Sequence, residues 1–254
     1  MPTLDLEHLT LARGSHDPDQ GEGCVMEWVS VAAGEEWSDH PQCTSPVIAA
    51  FLRTWQDALG DDDRQTLKRF IPVIAEDGTV ISAGVMGTRT TAEAETVRAW
   101  MCTDWLVRVQ APAWLRLAGL TEQADILASM VELTPETCPS IMPALKAAQR
   151  DAYAARDAAR AAAGAAAWAA AWDAAWAAAG DAAWDAAWAA AGDAAWDAAG
   201  DAARAAAGAA AWAAAGAAAG AAAWDALSPT VVELRASALE LVDRMIVVGA
   251  GVSA

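Results

Sequence analysis

The stretch Trp176–Ala199 reads WAAAGDAAWDAA-WAAAGDAAWDAA, two identical twelve-residue units in tandem. It is the centre of residues 157–226, an almost unbroken run of four-residue units of the form (Asp/Ala)-Ala-Ala-(Trp/Gly/Arg). Trp168, Trp172, Trp176, Trp184, Trp188, Trp196, Trp212 and Trp224 all occupy the fourth position, so the repeat holds eight of the chain's 14 tryptophans. Alanine is the strongest helix former, and the run contains neither proline nor a β-branched residue. The fold expectation follows: an all-α protein.

The period constrains the shape. At about 100° per residue, a four-residue step turns the Trp position by roughly 40°, so about nine steps carry it once round a helix. Stripes of 3.5 or 3.67 residues can stay on one partner by supercoiling, whereas a period of four cannot without far tighter winding. One straight helix from Pro143 to Ala226 would be on the order of 125 Å long and would show indoles on every side. A hairpin of helices is the shorter solution, with its turn near Gly192–Gly208, where interior glycines each weaken a helix by roughly 1 kcal/mol. Two readings of the repeat stay open. It is a Trp-studded surface for self-association or for a protein partner, or it is a tolerated expansion of GC-rich codons.

Before the repeat, residues 1–142 carry enough Val, Ile, Leu, Met and Trp for a core. Ser45 as N-cap, Pro46 at the first position and Gly60 beyond the end bracket a helix. Its stripe is Val47, Ile48, Phe51, Leu52, Trp55 and Leu59. A shorter helix precedes it, CVMEWVSVAAG from Cys24 to Gly34, with Val25, Trp28, Val29 and Ala32 on one face. Asp61–Asp63 start a helix carrying Leu67, Phe70 and Ile71, and Val73–Thr90, rich in Gly, Val and Ile, is the one place expected for strand or a mobile loop. A long helix over 91–110 is expected to turn Val97, Met101, Trp105, Leu106 and Val109 inward. Thr121 is expected to cap a helix through Met130, and Pro143 to start the helix that feeds the repeat. After the repeat, Ser228-Pro229 reads as a helix start. The closing helix of 227–254 then shows Val232, Ala236, Leu239, Val242, Met245 and Ile246 as its apolar face. The domain expectation is thus a helical body over 1–142, the low-complexity arm over 143–226, and an amphipathic closing helix.

GSH at 14–16, CVME at 24–27, SDHPQC at 38–43, PVIAAFLRTW at 46–55 and DWLVR…PAWLRLAGLTEQA at 104–124 go together. In these the chain resembles an uncharacterised protein family of high-GC bacteria and their phages. SPTVVELRASALELVDRM at 228–245 also fits that family, as does an alanine-rich insert before it. The resemblance implies no activity.

The chain is acidic, net −18 from 34 acidic and 16 basic side chains. That argues against wrapping nucleic acid or docking on anionic lipid. Aspartates at 173, 181, 185, 193, 197 and 201 make the repeat costly to place in hydrocarbon. MPTLDLEHLTLARGSH shows neither a basic start nor an apolar run, and four scattered cysteines do not form a disulfide framework. The expected location is cytoplasmic.

One constellation invites chemistry: His16, Cys24, His40 and Cys43. Two thiols and two imidazoles suit tetrahedral zinc, and His40-x-x-Cys43 has knuckle-like spacing, although no CxxC pair accompanies it. Cys24 at a helix N-terminus is also a weak candidate nucleophile, with His16 or His40 as base and Asp39 or Glu27 orienting it. The plainest reading makes the cysteines small packed residues and the histidines loop residues, with no cofactor. Asp61–Asp63 reads as a solvated helix start, and GVMG at 84–87 lacks the ending of a phosphate loop. Trp55, Trp100, Trp105 and Trp114 read as core. The leading functional expectation is a non-enzymatic interaction or assembly protein working through the repeat. The alternative is a zinc-stabilised domain or small Cys/His enzyme centred on 16–43.

Overall fold

Ser45, Pro46 and Gly60 do bracket a helix, α2 (Pro46–Ala58), and the Ser45 hydroxyl accepts the Ile48 N–H at 3.3 Å. The computed structural model describes residues 4–18, 21–162 and 221–249, and these are mostly helical. The expectations for a hairpin turn and for the tryptophans from Trp168 to Trp212 lie outside them. Helix α1 (Val25–Ala32) precedes α2, and α3 (Asp61–Arg64) follows it, running on into a 3-10 turn over Gln65–Phe70. The expected stripe of α2 is buried in full, and Phe51 meets Trp55 at 5.8 Å and Trp105 at 6.0 Å between ring centres.

Helix α4 (Ala92–Trp105) is capped by Thr91 and continues through a π-helical turn, Leu106–Gln110, into α5 (Ala111–Leu117). Pro112 lacks the N–H that would close an α-helical bond to Arg108, and the wider turn sits just before it. The inward face differs from the expected one. Trp105 and Leu106 are buried, but Val97 and Val109 are exposed, at 49% and 39%. Their neighbour Arg98 has taken the inward position instead, for a reason given below.

Two small sheets interrupt the helices, and one of them lies outside the single stretch where strand was expected. β1 (Thr10–Leu11) pairs in parallel with β2 (Glu22–Gly23), and the Gln65 side chain flanks the pair as a substitute strand. Its carbonyl accepts the Leu11 N–H at 3.0 Å and its amide donates to the Leu11 carbonyl at 2.9 Å. β3 (Val73–Ile74) and β4 (Val80–Ser82) form an antiparallel hairpin in the stretch expected to hold strand. Just beyond it, the Val85 N–H reaches the Phe70 carbonyl at 3.0 Å. Gly84, at φ +52°, passes so close that a Cβ there would lie 2.2 Å from the Phe70 oxygen.

Helix α6 (Thr121–Ala128) begins at Thr121 rather than being capped by it; Leu120 holds the cap position and offers no acceptor. Helix α7 (Cys138–Ala162) starts five residues ahead of Pro143. Thr134 and Thr137 exchange hydrogen bonds at its threshold, and Pro139 sits in the first turn, where a missing N–H loses nothing. The closing helix, α8 (Ala221–Val247), runs straight through Ser228-Pro229. A proline inside a helix forfeits one backbone bond, and the core contacts of α8 outweigh that loss.

The buried face of α8 is Leu227, Leu234, Ala238, Leu241, Val242 and Met245, and it packs on α2, α4 and α5. Of the expected face, Val242 and Met245 are buried, Leu239 and Ile246 are half-buried, and Val232 and Ala236 are exposed. The face is rotated because Leu234, Ala238 and Leu241 together bury more apolar surface than Val232 and Ala236 would. Helix α7 buries Cys138, Ile141, Leu145, Ala148 and Ala152, an alternating three- and four-residue spacing, and packs on α6. No helix among the described residues is long and apolar enough to cross a membrane.

Candidate functional site

The four residues singled out above are shared between two loops and are bound separately. Cys24 is the N-cap of α1: its sulfur accepts the Glu27 N–H at 3.3 Å, and Glu27 returns a bond from the Cys24 N–H at 2.6 Å. This is a capping box with sulfur in place of the usual hydroxyl. Glu27 is 1% exposed, and its carboxylate also accepts the His16 backbone N–H at 3.0 Å and faces His16 Nδ1 at 3.2 Å. A carboxylate only accepts, so Nδ1 is the protonated ring nitrogen toward it. The His16 carbonyl in turn receives the Trp37 indole N–H at 2.7 Å.

Aromatic packing closes the cluster. Trp28 and Trp37 meet edge to face at 5.2 Å, and a Cβ on Gly23 would come within 3 Å of both rings. Gln56 of α2 adds a further tie, accepting the Val25 N–H at 2.5 Å and donating to the Ala12 carbonyl at 3.2 Å. These polar contacts hold the segment 12–24 against α1, α2 and the Trp37 loop.

The nucleophile reading needs a thiolate. Burial pushes Cys24 up to about 12, and the Glu27 carboxylate beside it pushes in the same direction; the bonds from the helix N–H groups oppose both and are outweighed. The N-terminus of α1 is where the sequence placed it, but desolvation dominates the helix dipole. This arrangement favours the protonated thiol at Cys24.

Cys43 and His40 stand apart from this cluster. Glu35 accepts the Gln42 and Cys43 N–H groups at 2.5 and 2.7 Å, and the Cys43 carbonyl receives the Gly87 N–H at 2.8 Å. The Cys43 thiol lies 3.6 Å from the Thr44 hydroxyl, and partial burial raises its pKa. His40 is exposed beside Asp39, whose backbone carbonyl receives Arg53. Among the described residues no group of three or more His, Cys, Asp or Glu side chains is placed to hold a metal ion.

A second buried polar cluster was not anticipated. Arg98 is fully buried; its Nε donates to the Met245 carbonyl at 3.0 Å and another guanidinium nitrogen to the Val248 carbonyl at 2.6 Å. It therefore satisfies the last carbonyls of α8. Its third arm meets Glu95 at 2.6 Å, Glu95 accepts the Ser45 hydroxyl, and the Ser45 N–H reaches the Thr88 hydroxyl at 2.9 Å. One chain of bonds thus joins the start of α2, the middle of α4 and the end of α8. Capping-box spacing at Cys24-x-x-Glu27 could have revealed the first cluster. Nothing local marks Arg98 as buried, because the two carbonyls it caps lie about 150 residues away.

No family model, curated protein or solved structure matches the chain.

Proposed function

We propose that this chain is a non-enzymatic interaction or assembly protein, in which the helical body holds the Ala/Trp repeat at both ends and presents it for self-association or to a protein partner. The supporting observation is that α7 runs into the repeat and α8 out of it while both are seated on one core. A body of this size has a radius of gyration of about 16 Å. A single straight helix on the order of 125 Å long would not return to it, so in this reading the repeat leaves and comes back as a hairpin. Indoles at eight of the seventeen four-residue steps give such an excursion large, rigid contact surface, and aromatic anchors dominate association energetics. Both buried polar clusters of the body tie elements together, which suits a platform.

Removal of Trp176–Ala199, two whole units, tests the reading. The full chain should self-associate at micromolar concentration by light scattering, and the shortened chain should form a smaller number of copies with the helix signal of the body intact. The same number of copies for both chains would remove the case for assembly through the repeat.

A further inference from the structure

We propose that Ser228-Pro229 is a hinge in α8 where the repeat joins the body, because this helix has two usable starts, one at Ala221 and one at Pro229. The observed helix takes the first and carries the proline well inside it. That path has three local costs. Pro229 offers no N–H to the Asp225 carbonyl, and its ring presses on that same carbonyl. Ser228, as the residue before a proline, is pushed away from helical torsions.

The second start carries none of these costs. With Ser228 as N-cap, Pro229 falls at the first helical position, where its fixed φ suits the helix and its N–H would have had no partner. The Ser228 hydroxyl is then placed to accept the N–H of Thr230 or Val231. Leu227 becomes the residue before the cap and Val232 the fourth of the helix, the two positions that pack together as a hydrophobic staple. In the observed helix those two side chains point about 140° apart, and Val232 is 56% exposed. The shorter helix gives Val232 a partner that the longer one does not.

What holds the longer helix is narrow. Among the described side chains from 227 to 233 only Leu227 is buried, and Ser228 and Pro229 are exposed. Beyond them the body grips α8 through Leu234, Ala238, Leu241, Val242 and Met245, and Arg98 holds its last carbonyls. The two starts thus set one buried leucine and about two turns of backbone bonds against an interior proline, and both leave that grip untouched. Such a balance belongs to local opening rather than to unfolding. A change of start redirects the chain where the repeat meets the body. The hinge concerns α8 alone and does not depend on what the repeat contacts.

Amide exchange on the full-length chain tests it. The amides of 225–228 donate to the carbonyls of 221–224 only in the longer helix, so they should be far less protected than those of 238–245. Ser228→Gln keeps a good helix former but removes the cap, which weakens the second start alone. Protection at 225–228 should then rise about fivefold, with 238–245 and the urea midpoint unchanged. Ser228→Asp, which keeps a cap, should leave the parent values in place. Pro229→Ala returns an N–H to the longer helix and should raise protection at 225–228 by about tenfold or more. Parent protection at 225–228 equal to that at 238–245 overturns the hinge. An unchanged value in either Ser228→Gln or Pro229→Ala also overturns it; a response to Pro229→Ala alone is relief of strain in a helix with a single start.

Discussion

Arg98 and Met245 are 147 positions apart in the chain and are joined by a 3.0 Å hydrogen bond from the guanidinium Nε to the backbone carbonyl. This single bond records the closing of the fold: a cation from α4 terminates α8. The favourable sign is expected, since the carbonyl end of a helix is its negative pole.

Arg98→Met should therefore be among the most damaging substitutions in the body. It would remove the guanidinium bonds to the Met245 and Val248 carbonyls at the end of α8 and leave Glu95, whose side chain is 12% exposed, without its cation. Breaking a buried pair in this way costs about 3–5 kcal/mol. Urea unfolding should show that loss, and Arg98→Lys should recover only part of it, because an ammonium cannot reach three acceptors as a planar fork does.

Glu27→Ala should loosen the segment 12–24. The carboxylate accepts from the backbone of both Cys24 and His16, and a lost cap with buried unsatisfied donors costs about 1–3 kcal/mol. Hydrogen exchange at the amides of residues 12–24 should quicken, while α8 amides keep their protection.

Two glycines form a matched pair. Gly84→Ala places a Cβ 2.2 Å from the Phe70 oxygen at φ +52°, whereas Gly78 at φ +86° faces open space. Gly78→Ala should cost only the left-handed penalty of about 1–2 kcal/mol. Gly84→Ala should cost clearly more, because backbone has to move, and thermal melts of the two variants give the comparison.

Alkaline pH should destabilise the protein. Cys24 and Cys102 are both raised to about 12 by burial. Their contribution is fully present below the unfolded-chain value near 9 and falls as pH rises toward 12, because the unfolded chain then releases protons that the folded chain keeps. The slope is about 1.4 kcal/mol per pH unit for each thiol. Unfolding free energies measured between pH 8 and 11 should decline accordingly, and replacing both cysteines by alanine should flatten that decline.

How far the fold could be read ahead depended on the range of the interactions. The start of α2 was legible because Ser45, Pro46 and the stripe from Val47 to Trp55 lie within three turns of one another. The face of α4 was not, since hydrophobicity alone puts Val97 inside and cannot know that the α8 carbonyls require Arg98 there. The same limit applied to Ser228-Pro229: its local chemistry starts a helix, and contacts at Leu227 and Leu234 carried one through it. In the 16–43 region the sequence grouped four residues that the fold divides between two clusters. Glu27, the carboxylate at the centre, reaches His16 and Cys24, while His40 and Cys43 belong to a different loop.

The seating of α7 and α8 on one core makes the length of the repeat a quantity the body does not register. Whole units inserted between Ala162 and Ala221 alter no residue at either anchor. Even as a freely jointed loop, a doubling in length would raise the closure penalty by only about 0.6 kcal/mol. The number of units can therefore change while the residues that anchor the repeat to the body stay the same.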